Sequence, residues 1–437
     1  MNMATLIEPK VLKGFRDFLP DREAARLSLV RRLEQVFRSY GFAPIDTPVL
    51  EYAEVLLGKG GGETDKQVYR FTDHGGRDVA MRYDLTVPFA RFMAAHLGEL
   101  ALPFKRWHAA KVWRGENTQR GRYREFVQVD FDTVGTDSAS ADLEILLLMR
   151  ESFLSLGLGG VKVHYAHRGV FNAFLSRLGL AGQSVEVLRA IDKERKIGPE
   201  KTREILAEIA GGENADRILA YSRVEASAAL TRAKLAEAAA SDAPGAKRLA
   251  QIGLALEDIG VADTFVLDPS ITRGLDYYTG IVFETFLDRL PGIGSVCSGG
   301  RYDDLASLYT SQHLPGVGAS IGLDRLMAAM EELGEAGQAT AGPSVLVLML
   351  EEGLLAEYHR IGAAFRGAGI PAEVYPEPRK LAVQFAYAEK RGIPLAVIAG
   401  SDERAKGAVN LKDLRSRESF DGLSLEDATA RASALLR

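Results

Sequence analysis

Residues 122–135 read RYREFVQVDFDTVG, and the alternation within them limits the fold more than any other stretch of the chain. Period-two alternation belongs to a β-strand, whose successive side chains point to opposite faces. Arg122, Arg124, Phe126, Gln128, Asp130 and Asp132 then share one face, and Tyr123, Val127, Val129 and Phe131 the other. The apolar back is too long for an edge strand. The opposite face carries charges that a central strand seldom bears without a ligand or partner. Upstream, KVWR reads as the partner strand and GENTQRG as the turn between the two. From Arg106 to Arg124 the segment holds six Lys or Arg against one acid, Glu116, with Trp107, Trp113 and Tyr123 interleaved. The whole chain has a formal charge of −5, so this basic island is local. It suits a phosphorylated ligand, a nucleic-acid strand, or a solvated basic hairpin.

At 437 residues the chain suits two or three domains, and 46% hydrophobic with 26% charged residues is an ordinary balance for a soluble globular protein. Mild acidity excludes indiscriminate coating of nucleic acid; contacts of that kind must come from patches. The single cysteine, Cys297, excludes an internal disulfide and a multi-thiolate metal site, and it fits a reducing compartment. His164 and His167 are an odd number apart on the strand VKVHYAH, so they face opposite sides and no protein-bound metal is expected. No apolar run approaches the roughly 20 residues that cross a bilayer. The opening MNMATLIEPKVLKGFRDFLP has no apolar signal block, so a cytoplasmic location without membrane contact is expected.

Along the chain, Leu27, Val30, Leu33, Val36 and Phe37 recur at helical spacing from Asp21, and Gly41 ends that helix. GFAPIDTPVLEYAEVLL follows as an extended segment with Pro44 and Pro48, suited to packing or to a dimer surface. GKGGGETDKQ, from Gly58, lacks the GxxxxGK[ST] pattern, and by itself reads as a flexible loop. DVAMRYDLTVPFARFMAAH passes from strand to helix, with Asp84 and Thr86 at the turn, where they could cap the helix or receive an ammonium group. Ala141 to Gly157 is an apolar helix. From about Leu180 to Gly260 the composition becomes helical, with breaks at Gly198-Pro199, Gly211-Gly212 and Pro244, and suggests a lid or a partner-binding arm. Strands return in FVLDPSITRGLDYYTGIVFETFL, which carries Arg273, Tyr277 and Tyr278. Gly299-Gly300 suggests a sharp turn or a close ligand approach, and Gly316, Gly318 and Gly322 suggest room for a planar ligand. Arg325, at the following helix start, suits an anion or an ordinary surface role. Beyond ELGEAGQATAGP, strands and helices alternate as in an independent, partly parallel α/β domain. Its late basic residues, Arg404 to Arg417, suit an RNA-contacting or a solubilising face.

Several of these strings together resemble histidyl-tRNA synthetases, a family of class II aminoacyl-tRNA synthetases. GFAPIDTPVLE is similar to the class's first motif, with Pro48 in the dimer-interface place. KVWRGE with GRYREF is similar to the second, with Arg114 and Glu116 in its Arg-x-Glu positions, and GVGASIGLDRL to the third, ending in Arg325. RGLDYYTG and SGGRYDDL resemble the two strings peculiar to the histidine enzymes. The resemblance covers nearly the whole chain.

It implies an α/β fold class: a catalytic domain built on a six-stranded antiparallel sheet flanked by helices, a helical insertion, and a C-terminal α/β anticodon-binding domain. The implied ranges are 1–179 with 261–335, then 180–260, then 343–437. Implied activity is histidine–tRNA ligation, in which ATP and L-histidine form an adenylate that is passed to tRNA(His). Asp84, Thr86 and Gln128 would hold the α-ammonium group, while Asp132 and Tyr278, with Tyr277 beside them, would serve the imidazole. Arg114 and Arg325 would grip ATP phosphates, Glu116 would face the adenine, and Arg273 would stabilise the α-phosphate. Mg²⁺ would ride on the outer phosphates, the protein would be a homodimer, and the Gly58–Gly62 stretch would be a closing loop.

Two departures stand out. RYDLT carries Asp84 where many bacterial relatives have Glu, and ENTQRGR differs from the ENPQKGR-like turn of many bacterial relatives. The rival reading is a non-catalytic, synthetase-like regulatory subunit of histidine biosynthesis. Such a subunit is expected to lack the C-terminal domain and to have lost Arg273 or the RGLDYY string, and this chain has both the domain and the string.

Overall fold

A computed structural model of the chain describes residues 6–58, 67–118, 121–239, 243–272, 278–335 and 342–436. These fall into two compact units, one of residues 6–17 and 26–335, the other of residues 18–25 and 342–436. Arg273, Tyr277, the loop glycines after Gly58, and Gln119 with Arg120 of the basic turn lie outside the described residues.

The chain first forms α1 (Pro20–Ser39), which belongs to the first unit from Arg26 onward, and that unit continues with β1 (Ala43–Pro44), β2 (Leu50–Tyr52), α2 (Ala53–Leu57), β3 (Arg70–Thr72), β4 (Asp78–Met81) and α3 (Thr86–His96). The expected long extended segment after Gly41 is therefore two short strands and a helix. Next come β5 (Phe104–Trp113), β6 (Glu125–Val134), α4 (Ala139–Ser155), β7 (Val161–His167) and α5 (Arg168–Arg177). Five helices follow: α6 (Ser184–Ile197), α7 (Pro199–Ala210), α8 (Gly212–Ser222), α9 (Ala228–Ala239) and α10 (Pro244–Asp258). Gly198 and Gly211 sit at φ of 82° and 81°, a conformation costly for residues with a Cβ, and so end α6 and α7 where the sequence breaks. The unit closes with β8 (Phe265–Leu267), β9 (Ile281–Leu287), β10 (Cys297–Tyr302), β11 (Gly316–Gly322) and α11 (Leu323–Leu333).

Its main sheet has the order β1-β5-β6-β11-β10-β9-β7-β8. The six central strands pair antiparallel, and the short edge strands β1 and β8 pair parallel to β5 and β7. β6 lies between β5 and β11, as its two-faced pattern demanded. Behind it, Phe131 stacks on Phe37 of α1 with ring centroids 5.0 Å apart, and Phe37 also meets Trp107 of β5. Truncating such a buried ring typically costs about 3–5 kcal/mol. α4 starts at Ser138, whose hydroxyl accepts from the Ser140 N–H at 3.2 Å, and buries Ile145, Leu146, Leu148, Met149 and Phe153. A smaller sheet, β2-β4-β3, is also antiparallel.

The second unit holds β12 (Val345–Val347), α12 (Leu355–Gly367), β13 (Ala372–Val374), α13 (Leu381–Lys390), β14 (Leu395–Ile398), α14 (Ser401–Ala405), β15 (Val409–Asp413), β16 (Ser419–Leu423) and α15 (Leu425–Leu435). Its sheet order is β13-β12-β14-β15-β16, with β13 and β14 parallel to β12 and the last two strands antiparallel. Both faces of β12 are covered: Val345 and Val347 pack with Tyr358 and Phe365 of α12, Leu346 and Leu348 with Ala388 of α13. A strand buried on both sides needs an unbroken apolar run, and SVLVLML supplies it.

Candidate active site

A cavity of about 460 Å³ opens over the polar face of β6 and the neighbouring strands β11 and β10. Eight of the ten residues singled out from the sequence line it: Asp84, Thr86, Arg114, Glu116, Gln128, Asp132, Tyr278 and Arg325. The other two, Arg273 and Tyr277, lie outside the described residues, although Thr272 and Tyr278 bracket them.

Two of the lining residues, Asp84 and Asp132, are buried acids. Asp84 ends the approach to α3, and its Oδ1 accepts from the Val87 N–H at 3.1 Å. It therefore caps the helix while its Oδ2, also buried, has no hydrogen-bond partner among the described residues. Burial lifts this carboxyl to about 6, against the pull of the Val87 N–H, Arg114 and Arg106. Gln128 is in a similar position. Its Nε2 donates to Ser320 Oγ at 2.8 Å, and its buried Oε1 has no hydrogen-bond donor among the described residues. Two buried acceptors of this kind suit a ligand bearing several N–H groups.

Asp132 is held from three sides. Arg106, opposite it on β5, places Nη2 at 2.7 Å, and the Tyr302 hydroxyl donates to its Oδ1 at 2.5 Å. On β11 the residue opposite is Gly318, where a Cβ would fall 2.0 Å from Asp132 Oδ1. Two residues along, a Cβ on Gly316 would fall 2.4 Å from the Tyr302 ring. These two glycines thus make room for the protein's own side chains, and Gly318 and Gly322 also line the cavity. Gly299 and Gly300 likewise lie within β10 instead of turning the chain; a Cβ on Gly299 would strike the Gly318 carbonyl at 2.1 Å.

Arg114, Arg122 and Arg325 bring cations to the same cavity. Arg114 donates from Nε to the Tyr83 carbonyl at 2.9 Å, and its guanidinium lies 5.2 Å from the centre of the Phe126 ring. Both contacts set its plane while leaving the fork toward the cavity. Arg325, in the first turn of α11, donates to the Ser295 carbonyl at 2.5 Å. Its neighbour Asp324 accepts from the Val127 N–H at 2.6 Å, which fastens α11 to β6. Glu116 sits 3.8 Å from both Arg114 and Arg122.

The alternation read from the sequence holds only where β6 is a strand, from Glu125 onward. Arg122 does line the cavity, but so does Tyr123, assigned to the opposite face. Arg16 lies 3.8 Å above the Tyr123 ring. Arg124 instead donates to the Glu116 carbonyl at 3.1 Å.

A family model described as histidyl-tRNA synthetase matches residues 14–326, and one described as anticodon binding domain matches residues 344–434. The chain belongs to the histidyl-tRNA synthetase family. A protein of Treponema denticola named histidine–tRNA ligase is 50% identical over 448 residues, covering 99% of each chain. One of the same name from Rhodopirellula baltica is 50% identical over 422 residues, covering 95% of this chain and 96% of its own. Among solved structures, the histidyl-tRNA synthetase from Nostoc sp. PCC 7120 matches with a TM-score of 0.88 at 32% identity, over 98% of this chain and all of that one.

Within this family site, sequence reasoning passed over Arg106, Ser320 and Tyr302. Tyr302 stood in the quoted SGGRYDDL string without a role. Arg106 was counted only as one cation of a basic island. Pairing the two strands residue by residue would have set it opposite Asp132 and exposed the ion pair.

Proposed function

We propose that this chain is a histidine–tRNA ligase: it activates L-histidine with ATP to histidyl-adenylate and transfers the histidyl group to the 3′ end of tRNA(His). Its full-length kinship with histidine–tRNA ligases carries the activity. The observation that best supports the assignment of this cavity is the pair of buried acceptors without a partner among the described residues, Asp84 Oδ2 and Gln128 Oε1, in the cavity that Asp132 also lines.

In this reading Asp84, Gln128 and Thr86 receive the α-ammonium group of histidine. Asp132 and Tyr278, with Tyr277 adjoining, serve the imidazole. A wrong side chain would leave the buried Asp132 without its partner, which is how polar pockets discriminate strongly. Arg114 and Arg325 take the phosphates of ATP, and Glu116 faces the adenine. The histidine carboxylate attacks the α-phosphate and pyrophosphate departs. Such displacement needs fixed positive charge where negative charge develops, and we assign that part to Arg114 and Arg273. Mg²⁺ prefers oxygen ligands and typically binds through one or two carboxylates plus phosphates; Glu284 in the cavity fits that chemistry. Bound there with ATP, it would neutralise charge on the outer phosphates.

The proposed division is a catalytic domain of residues 1–179 and 261–335, an insertion of residues 180–260, and an anticodon-binding domain of residues 343–437. Exposed Leu50, Tyr52 and Phe71 on the small sheet support a homodimer formed near Pro48. Among the described residues no helix is long and apolar enough to cross a membrane, and we place the protein in the cytoplasm with the rest of translation. The rival regulatory-subunit reading is disfavoured by the anticodon-binding match and by the intact RGLDYY string.

ATP–pyrophosphate exchange measured with each amino acid in turn tests the proposal. Exchange should depend on histidine alone. Stimulation by none, or by another amino acid, defeats it.

A further inference from the structure

Tyr278 is followed by Thr279, and Thr279 is pinned. Its N–H donates to the Arg301 carbonyl at 2.8 Å, and its hydroxyl donates to Asp303 Oδ2 at 2.7 Å. The Asp303 N–H in turn donates to that hydroxyl at 3.2 Å. Arg301, only 2% exposed, donates from Nη2 and Nε to Asp142 Oδ1 at 2.6 and 3.0 Å, and from Nη1 to Asp303 Oδ1 at 3.3 Å. Asp142, on α4, is fully buried, and its second oxygen accepts from Arg248 Nε at 2.6 Å. Arg248 stands on α10, the last of the five inserted helices. Its other two nitrogens grip the carboxylate and the carbonyl of Asp137, both at 2.8 Å.

One buried carboxylate is therefore shared by two guanidiniums, one from the inserted helices and one from the strand under the cavity. Burial pushes the Asp142 carboxyl up, against the pull of these two cations. Such a network is rigid only while every member is satisfied; removing one leaves the others mispaired. The backbone conforms to it, since a Cβ on Gly280 would fall 2.9 Å from the Arg301 side chain. A second tie runs the same way: the buried Thr272 hydroxyl donates to the Leu188 carbonyl of α6 at 3.0 Å. Thr272 is thus bonded directly to the insertion, and Thr279 is linked to it through Asp303, Arg301 and Asp142.

We infer that Arg248 is a positioning residue for the histidine pocket, acting through Asp142, Arg301, Asp303 and Thr279 to set the placement of Tyr278. The inference rests on the assignment of Tyr278 to the imidazole proposed above. It makes the helical insertion part of what determines amino-acid affinity, although it contributes neither acid of the ammonium and imidazole sites.

The test is histidine-dependent pyrophosphate exchange by the full-length chain. Arg248→Met keeps the side-chain stem and removes the guanidinium. It should raise the KM for histidine about fivefold or more while kcat and the KM for ATP stay within about twofold. Arg248→Lys, which restores one contact to Asp142, should recover part of the affinity. Thr279→Val breaks only the last link and should raise the same KM. Combined with Arg248→Met it should add little, because residues in one network are not additive. Should Arg248→Met fail to fold by thermal melting, Thr279→Val alone carries the test. A histidine KM within about twofold of the parent's in a folded variant overturns the inference, as does an equal rise for ATP or a fully multiplicative double variant. A parent enzyme that shows no exchange with histidine overturns the ligase reading itself.

Discussion

The Arg106 guanidinium lies 2.7 Å from the Asp132 carboxylate, and both side chains are buried. Asp130, two residues back along the same face, is 3.8 Å from the same guanidinium. One cation thus serves two buried acids. Burial raises both carboxyls, and Asp130, farther from Arg106, is lifted to about 7. Asp132 also accepts from the Tyr302 hydroxyl. Arg106 and Tyr302 together hold its carboxyl group at the place proposed for the imidazole.

Replacing Asp132 with Asn should therefore raise the histidine KM about tenfold or more, equivalent to roughly 1.4 kcal/mol, with little change for ATP. Pyrophosphate exchange at varied histidine measures it, and an unchanged KM removes Asp132 from the pocket. Stability should fall by less than the roughly 3–5 kcal/mol typical of a broken buried ion pair, because Asp130 can take up the charge beside Arg106.

Asp130 makes a pH prediction. Its folded pKa, about 7, lies above the unfolded value near 3.8. A carboxyl of this kind holds its proton more tightly when folded, so its contribution is full below about pH 4 and is lost as pH rises through 7. Asparagine suffers no such loss. The melting-temperature difference between Asp130→Asn and the parent should move in favour of the variant between pH 5 and pH 8, by several degrees for a gain of order 2 kcal/mol. A difference constant with pH would show that Asp130 does not titrate there.

Gly318→Ala tests the close packing behind Asp132. A Cβ at 318 would fall 2.0 Å from Asp132 Oδ1 and 2.7 Å from the Phe131 carbonyl, so the carboxylate or the strand must shift. Overpacking of this sort costs about 1–3 kcal/mol. Histidine-dependent exchange should drop by about tenfold or more while circular dichroism stays that of the parent. Activity within twofold of the parent would show that the Asp132 position is not critical.

How much of this was legible beforehand depended on range along the chain. The two faces of β6 and the helix breaks at Gly198 and Gly211 are local, set by alternation and by backbone freedom, and the structure bears them out. The alternation failed at Tyr123 and Arg124, where the chain has left the strand and no longer obeys period two. Gly316 and Gly318 were conspicuous, yet their purpose depends on Tyr302 and Asp132 standing opposite them, a matter of strand order that spacing does not reveal. The same holds for Arg248, whose partner Asp142 is 106 residues away.

The last prediction concerns Arg273, which the family resemblance, not geometry, assigns to the α-phosphate. Its flank is defined: the Thr272 hydroxyl is bonded to the Leu188 carbonyl. Among the cavity's described arginines, Arg114 and Arg325 each have one nitrogen bonded to a backbone carbonyl, at Tyr83 and at Ser295. Charge developing on the α-phosphate calls for a cation held where that charge grows, and a dedicated one acts mainly in the transition state. Arg273→Ala should accordingly leave histidine binding nearly intact, as read by calorimetry, while single-turnover adenylate formation falls by several orders of magnitude. A fall of less than about tenfold, or about 1.4 kcal/mol, would take that role from Arg273 and leave Arg114 and Arg325 as the candidates.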